Sequence, residues 1–117
     1  MLTAHHIVAF LVIAVSFVAA AAAFLAHRRR HGAGRVVAQL LALAQTIVVA
    51  QIGLGLILVG EHKRPADRLH YMYGSLALLA TLSPWLYAPA EPRRRLVWFG
   101  GATLIAGALA IRAYMTA

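Results

Sequence analysis

Long apolar runs alternate with short charged segments along this chain: Ala4–Ala26, Val36–Gly60, Leu69–Tyr87 and Leu96–Tyr114 are the four runs. Each is at or near the ~20 residues that carry a helix across a hydrocarbon core. In lipid, backbone N–H and C=O groups must be satisfied within the segment, so runs of this length predict helices. The expected fold is all-α, an integral membrane four-helix bundle spanning residues 1–117 as one domain, with the lipid bilayer as its solvent. The first run does not read as a signal peptide. No basic segment precedes it, its apolar stretch is long, and Arg28, Arg29 and Arg30 follow at once.

The charged segments orient the runs. His27–Arg35 carries Arg28, Arg29, Arg30 and Arg35 without an acid, and Ala88–Arg95 carries Arg93, Arg94 and Arg95 against Glu91. Both loops are expected to face the cytoplasm, whereas Glu61–Arg68 mixes both signs. The result is an N-out, C-out, multi-pass protein of the plasma (inner) membrane of a prokaryote. Tyr71, Tyr73 and Tyr114 then fall at the outer interface, and Trp85, Tyr87 and Trp98 at the inner one. Gly32 and Gly34 break the first hairpin, Pro65 the middle loop, and Pro84, Pro89 and Pro92 crowd the second cytoplasmic turn.

Composition narrows the function classes. With 62% hydrophobic residues and a mean hydropathy of +0.78, the loops leave no room for a soluble domain. A net charge of +8 would point to nucleic acid in a soluble protein, but these cations sit beside lipid and no nucleic-acid partner is expected. The absence of cysteine excludes disulfides, thiolate ligands and iron–sulfur clusters.

Helical spacing then sorts the faces. On the first helix His5, Ala9, Ser16, Ala20, Ala23 and His27 form a small or polar stripe, the kind that lets membrane helices approach. Phe10, Phe17 and Phe24 form a bulky stripe expected to face lipid. Gln51, Gly55 and His62 share a face of the second helix; Gln51 is the one amide deep in the outer half, and hydrogen bonding to another helix would also account for it. His70, Tyr73, Gly74 and Ala77 align on the third, where Gly74 leaves room beside a flat ligand, and Gly101, Ala108 and Arg112 align on the fourth.

Histidine carries the candidate chemistry. His5, His6, His62 and His70 collect at the outer face, while His27 and His31 lie in the arginine-rich anchor. Ligating side chains near a bilayer are expensive and point to function, although a histidine at an interface can also simply snorkel. His5 and His70 open two helical hairpins in the same way, which points to one object shared between them. His5 is preferred to His6, which lies about 100° around the helix. Two neutral imidazoles would hold a b-type haem in a low-spin site suited to electron transfer, with no catalytic residue required. Without a c-type attachment motif the haem would be non-covalent. Arg68, Arg112, Lys63 and Arg64 lie at the depth of its propionates, and Gln51 or backbone carbonyls would serve the second ring nitrogens. Zinc ordinarily takes three or four ligands and fits less well. A serine hydrolase lacks its aspartate and serine context, and a proton-coupled transporter lacks its mid-membrane acid.

The segment Gln51-Ile-Gly-Leu-Gly-Leu-Ile-Leu-Val, followed by a short loop and Leu69-His70, resembles the haem A synthase family, in which a Gln- and Gly-containing helix precedes one opening with Leu-His. Ala4-His5-His6-Ile7-Val8-Ala9 resembles that family's other ligand helix, with His5 at the ligand position, Ala9 at the small position and His6 in place of an arginine. The basic loop after the first helix matches too. The resemblance covers about residues 4–88 and implies a four-helix bundle with bis-histidine haem ligation at the outer side. The family joins two such halves, whereas this chain has one. Met1–Ala4 hold no acid where the family places a catalytic glutamate, and there is no cysteine pair. Haem binding carries over on this basis; haem oxidation does not. The expected role is that of a cytochrome-like protein acting alone, as a homodimer packed through Ala102, Ala106 and Ala110, or within a respiratory complex. A cofactor-free accessory subunit is the alternative. So is a quinone-binding anchor using His70, Arg68 and Tyr71 or Tyr73.

Overall fold

The computed structural model describes residues 2–30 and 34–117, so His31 and Gly32 lie outside the described residues. The chain forms α1 (Leu2–Arg28), α2 (Gly34–Gly60), α3 (Leu69–Leu82), α4 (Pro84–Tyr87) and α5 (Pro92–Met115), with no strand among the described residues. Three helices, α1, α2 and α5, are long and apolar enough to cross a membrane. At 27 residues, α1 extends about 40 Å, which exceeds a hydrocarbon core of about 30 Å.

The third apolar run is divided. α3 stops at Leu82, and α4 restarts at Pro84 after Ser83, which keeps right-handed helical angles. Proline has no N–H to offer the carbonyl one turn back. The Ser83 hydroxyl fills that place, donating to the Ala80 carbonyl oxygen at 2.9 Å.

The long helices run up and down with α1 packed along α2 on one side and α5 on the other, and α5 packed along α3. α2 and α3 meet more sparsely, and α1 and α3 are diagonal. The closest seam is α1–α5. A Cβ placed on Gly100 would lie 3.1 Å from Ala23 Cβ, and one on Gly107 3.2 Å from Ser16 Cβ. Ser16 and Ala23, seven residues apart, thus face two glycines seven residues apart on an antiparallel partner. At the arginine-rich end His27 Nδ1–H donates to the Arg93 carbonyl oxygen at 3.2 Å and Arg93 Nη2 donates to the His27 carbonyl oxygen at 3.4 Å, clasping the end of α1 to the start of α5.

Three face assignments differ from the sequence pattern. Phe10 is exposed, but Phe17 and Phe24 lean over Gly107 and Gly100, whose missing side chains leave the space. On α5 the buried set is Leu96, Phe99, Gly100, Thr103, Ala106 and Gly107, not the stripe of Gly101, Ala108 and Arg112. Ala106 is fully buried within the single chain, with Ala102 and Ala110 half-buried, so the face expected to serve a homodimer is already used. On α1 the buried set contains His5, Ser16, Ala20 and Ala23 of the small stripe, joined by Val12 and Ala19. Val18, Val36, Leu56, Leu79 and Ile105 point outward and are more than half exposed. Such an apolar exterior is far beyond what a soluble monomer presents.

Candidate functional site

The end of the bundle that carries the start of α1 and of α3 holds the cavity of interest. Its construction begins in the loop before α3. The Asp67 carboxylate accepts the Leu69 N–H at 2.9 Å, the Asp67 N–H donates to the Thr116 carbonyl oxygen at 3.1 Å, and α3 is thereby tied to the end of α5. This places His70 against α5, where its Nδ1 lies 2.7 Å from the Ala113 carbonyl oxygen. A carbonyl can only accept, so Nδ1 carries the proton, and in the neutral ring Nε2 keeps its lone pair.

His5 comes from the diagonal helix. Its backbone carbonyl accepts from Gln51 Nε2 at 2.8 Å, locking the start of α1 to α2. Its ring rests against Gly55, where an added Cβ would lie 3.4 Å from Cε1. The two imidazoles stand with ring centroids 6.0 Å apart and planes at 73°. His5 Nδ1 and Gln51 Oε1 are buried without a hydrogen-bond partner.

Around the rings lies an apolar cavity of about 230 Å³ bounded by α1, α2, α3 and the end of α5. His5, His6, His70, Gln51 and Gly74 all line it. His6 is exposed and contributes at the rim, while His5 is buried. Arg68 and Arg112 do not line it. Arg68 is exposed, and Arg112 turns to Tyr73, with its guanidinium 5.4 Å from the ring centroid and Nη2 3.4 Å from the hydroxyl oxygen. The cations that do line it are Lys63 and Arg64. They are brought there by the turn ending α2, in which His62 takes a left-handed conformation (φ 63°) and the Lys63 N–H reaches back to the Leu58 carbonyl oxygen at 3.0 Å. His62 itself is exposed in that turn, and His27 is at the opposite end.

Sequence reasoning missed the α5 contribution. Ala110, Ala113 and Tyr114 line the cavity, and of the expected partners for a second ring nitrogen, Gln51 or a backbone carbonyl, it is the carbonyl of Ala113 on α5 that orients His70. A carbonyl has no sequence signal.

Two imidazoles are the donor set that would suit a metal already held by a macrocycle, such as haem. Both imidazoles line one cavity, His70 with its Nδ1 held by a carbonyl and His5 with a buried unpartnered Nδ1. Among the described residues no group of three or more His, Cys, Asp or Glu side chains gathers to hold a bare ion. At about 230 Å³ the cavity is below the roughly 300–1,000 Å³ of ordinary ligand pockets, and it lies beside the sparsely packed α2–α3 seam. Gly74 on that seam carries no side chain; a Cβ there would lie 3.7 Å from Ile52 Cδ1. Comparison with protein-family models, curated proteins and solved structures gives no match, and the reading of this site rests on its own residues.

Proposed function

We propose that this chain is an integral membrane haem protein that holds one b-type haem between His5 and His70 and serves in electron transfer. The carrying observation is the meeting of these two imidazoles, from diagonal helices, 6.0 Å apart in an apolar cavity. Three helices long enough to cross a bilayer and an apolar exterior support the membrane setting, with α3 and α4 together making the fourth crossing. The resemblance of the segments around His5 and Gln51–His70 to haem A synthases supports the ligand pair. When bound between two neutral imidazoles, haem iron is six-coordinate and supplies one-electron transfer rather than oxygen binding.

The chain's own residues do the rest. The Ala113 carbonyl holds the Nδ1 proton of His70 and so presents Nε2 to the cavity. Gln51 holds the backbone of His5 rather than its ring. Lys63 and Arg64, which line the cavity, would pair with the haem carboxylates, and the mostly apolar lining would receive the macrocycle. The arginine-rich end faces the cytoplasm in this reading, with both termini on the other side.

A visible spectrum of the detergent-purified protein, oxidised and dithionite-reduced, tests the proposal. The expected result is a sharp reduced α-band with about one haem per chain. His70→Ala and His5→Ala should each lose it, and His27→Ala should keep it. Full haem occupancy in either ligand variant overturns the assignment. A colourless protein after haem is supplied during expression would make this a cofactor-free accessory subunit.

A further inference from the structure

A second cavity, of about 280 Å³, lies at the arginine-rich end between α2, α4 and α5. Trp85 of α4 reaches α2 there, where its Nε1–H donates to Gln45 Oε1 at 3.0 Å. The walls are Ala38, Leu41, Leu96, Phe99 and Trp85, with Arg95 the one charged residue among them. The guanidinium stands 5.6 Å from the Trp85 ring centroid and 5.1 Å from that of Phe99. Two aromatic rings position it and neither neutralises it.

Among the described residues no carboxylate lies within 4 Å of Arg95. The chain has three acids. Glu61 pairs with Lys63 at 3.8 Å, Asp67 accepts from Leu69, and Glu91 accepts from the backbone N–H groups of Arg93 and Arg94. Arg95 also sits in the first turns of α5 beside Arg93 and Arg94, the end of a helix whose dipole repels cations and favours an anion. An apolar groove with an unneutralised, aromatic-backed arginine in it complements an amphiphile with a negative head and a hydrocarbon tail.

We infer that this groove binds one anionic phospholipid, with its phosphate on Arg95 and an acyl chain laid along Leu41, Leu96 and Phe99. Basic pockets between membrane helices recognise acidic head groups through this chemistry. The inference rests on the membrane-spanning reading and is independent of haem.

The test is thermal unfolding and native mass spectrometry of the full chain in dodecyl maltoside, with phosphatidylglycerol, phosphatidylcholine or inorganic phosphate added. Phosphatidylglycerol should raise Tm saturably and appear as one bound lipid per chain; phosphatidylcholine and phosphate should do neither. Arg95→Gln should weaken the lipid about five-fold, while Arg94→Gln, outside the groove, leaves it unchanged. Ala38→Trp, at an exposed wall position, should abolish the shift with an unaltered lipid-free Tm, and it decides the matter if Arg95→Gln does not fold. Equal effects of the two lipids, an equal effect of phosphate, an undiminished shift in Arg95→Gln or Ala38→Trp, or a lipid-displaced dimer, which would seat a second copy there, each overturn the lipid site. Release of the protein from membranes by alkaline carbonate would instead overturn the membrane reading.

Discussion

Gly100 and Gly101 are neighbours in α5 with opposite surroundings. A Cβ on Gly100 meets Ala23 Cβ at 3.1 Å, an atom borne directly on a packed helix and unable to swing away, whereas a Cβ on Gly101 meets nothing within 4 Å. Gly100→Ala and Gly107→Ala should each destabilise by about 1–3 kcal/mol as α1 and α5 are forced apart. Gly101→Ala should be neutral or stabilising by up to about 1 kcal/mol, because alanine restricts the unfolded chain without straining the helix. Thermal unfolding in detergent reads the contrast, and equal losses at adjacent positions 100 and 101 would mean that the α1–α5 seam lies elsewhere. At this scale the α1 stripe was legible by helical spacing from His5 and Ser16, whereas Ala20 and Ala23 lie within the run of alanines at 19–23, where size alone picks out no face. The identity of the glycines that the stripe meets was not legible.

At the scale of elements, two helix breaks are repaired by polar side chains. The Ser83 hydroxyl supplies the donor that Pro84 withholds from the Ala80 carbonyl oxygen. Ser83→Ala should cost about 1 kcal/mol, measured by thermal unfolding, with the loss absent when Pro84→Ala restores the backbone N–H. The start of α5 depends on Glu91, whose carboxylate accepts from the Arg94 N–H at 2.8 Å and the Arg93 N–H at 3.1 Å. These backbone bonds, from Arg94 first and Arg93 second, hold its pKa below the usual carboxylate value. The folded value lies below the unfolded one, so the cap contributes fully above the unfolded pKa and its contribution is lost as pH falls through the folded value. A Tm-against-pH profile should decline on that acid limb, and Glu91→Gln should flatten it. An unchanged limb in the variant would show that the cap does not stabilise α5. Pro92 was read only as part of the turn, with the fourth helix expected from Leu96, whereas it follows the cap as the first residue of α5; the division of the third run was not read either, because Ser83 keeps helical angles.

Over the whole molecule, the arrangement of helices decides which groups meet. α1 and α3 are diagonal, so His5 and His70 reach each other only across the bundle centre, through the cavity beside the sparse α2–α3 seam. The proposed orientation has a direct test, since the chain has no cysteine of its own. Thr3→Cys and Ala117→Cys should react with a membrane-impermeant maleimide from outside intact cells, and Arg29→Cys only after lysis. Labelling of Arg29→Cys from outside would reverse the topology.

Sequence alone determined the class of structure. Apolar runs of membrane length can satisfy their backbone only as helices, and prolines and arginines mark where they end. It also determined that His5 and His70 begin their hairpins alike. Only the tertiary structure decided how each helix is rotated and what stands beside each histidine. The buried face of α5 runs through Gly100 and Gly107 instead of Gly101, Ala108 and Arg112, and Ala106 is spent inside the chain. Of the four cations expected at that depth, Lys63 and Arg64 line the cavity and Arg68 and Arg112 do not, and the Ala113 carbonyl holds His70. The physical reason is that lipid is as apolar as a protein core. A helix apolar on every side carries no periodic signal for in and out, and close packing of small side chains sets its rotation.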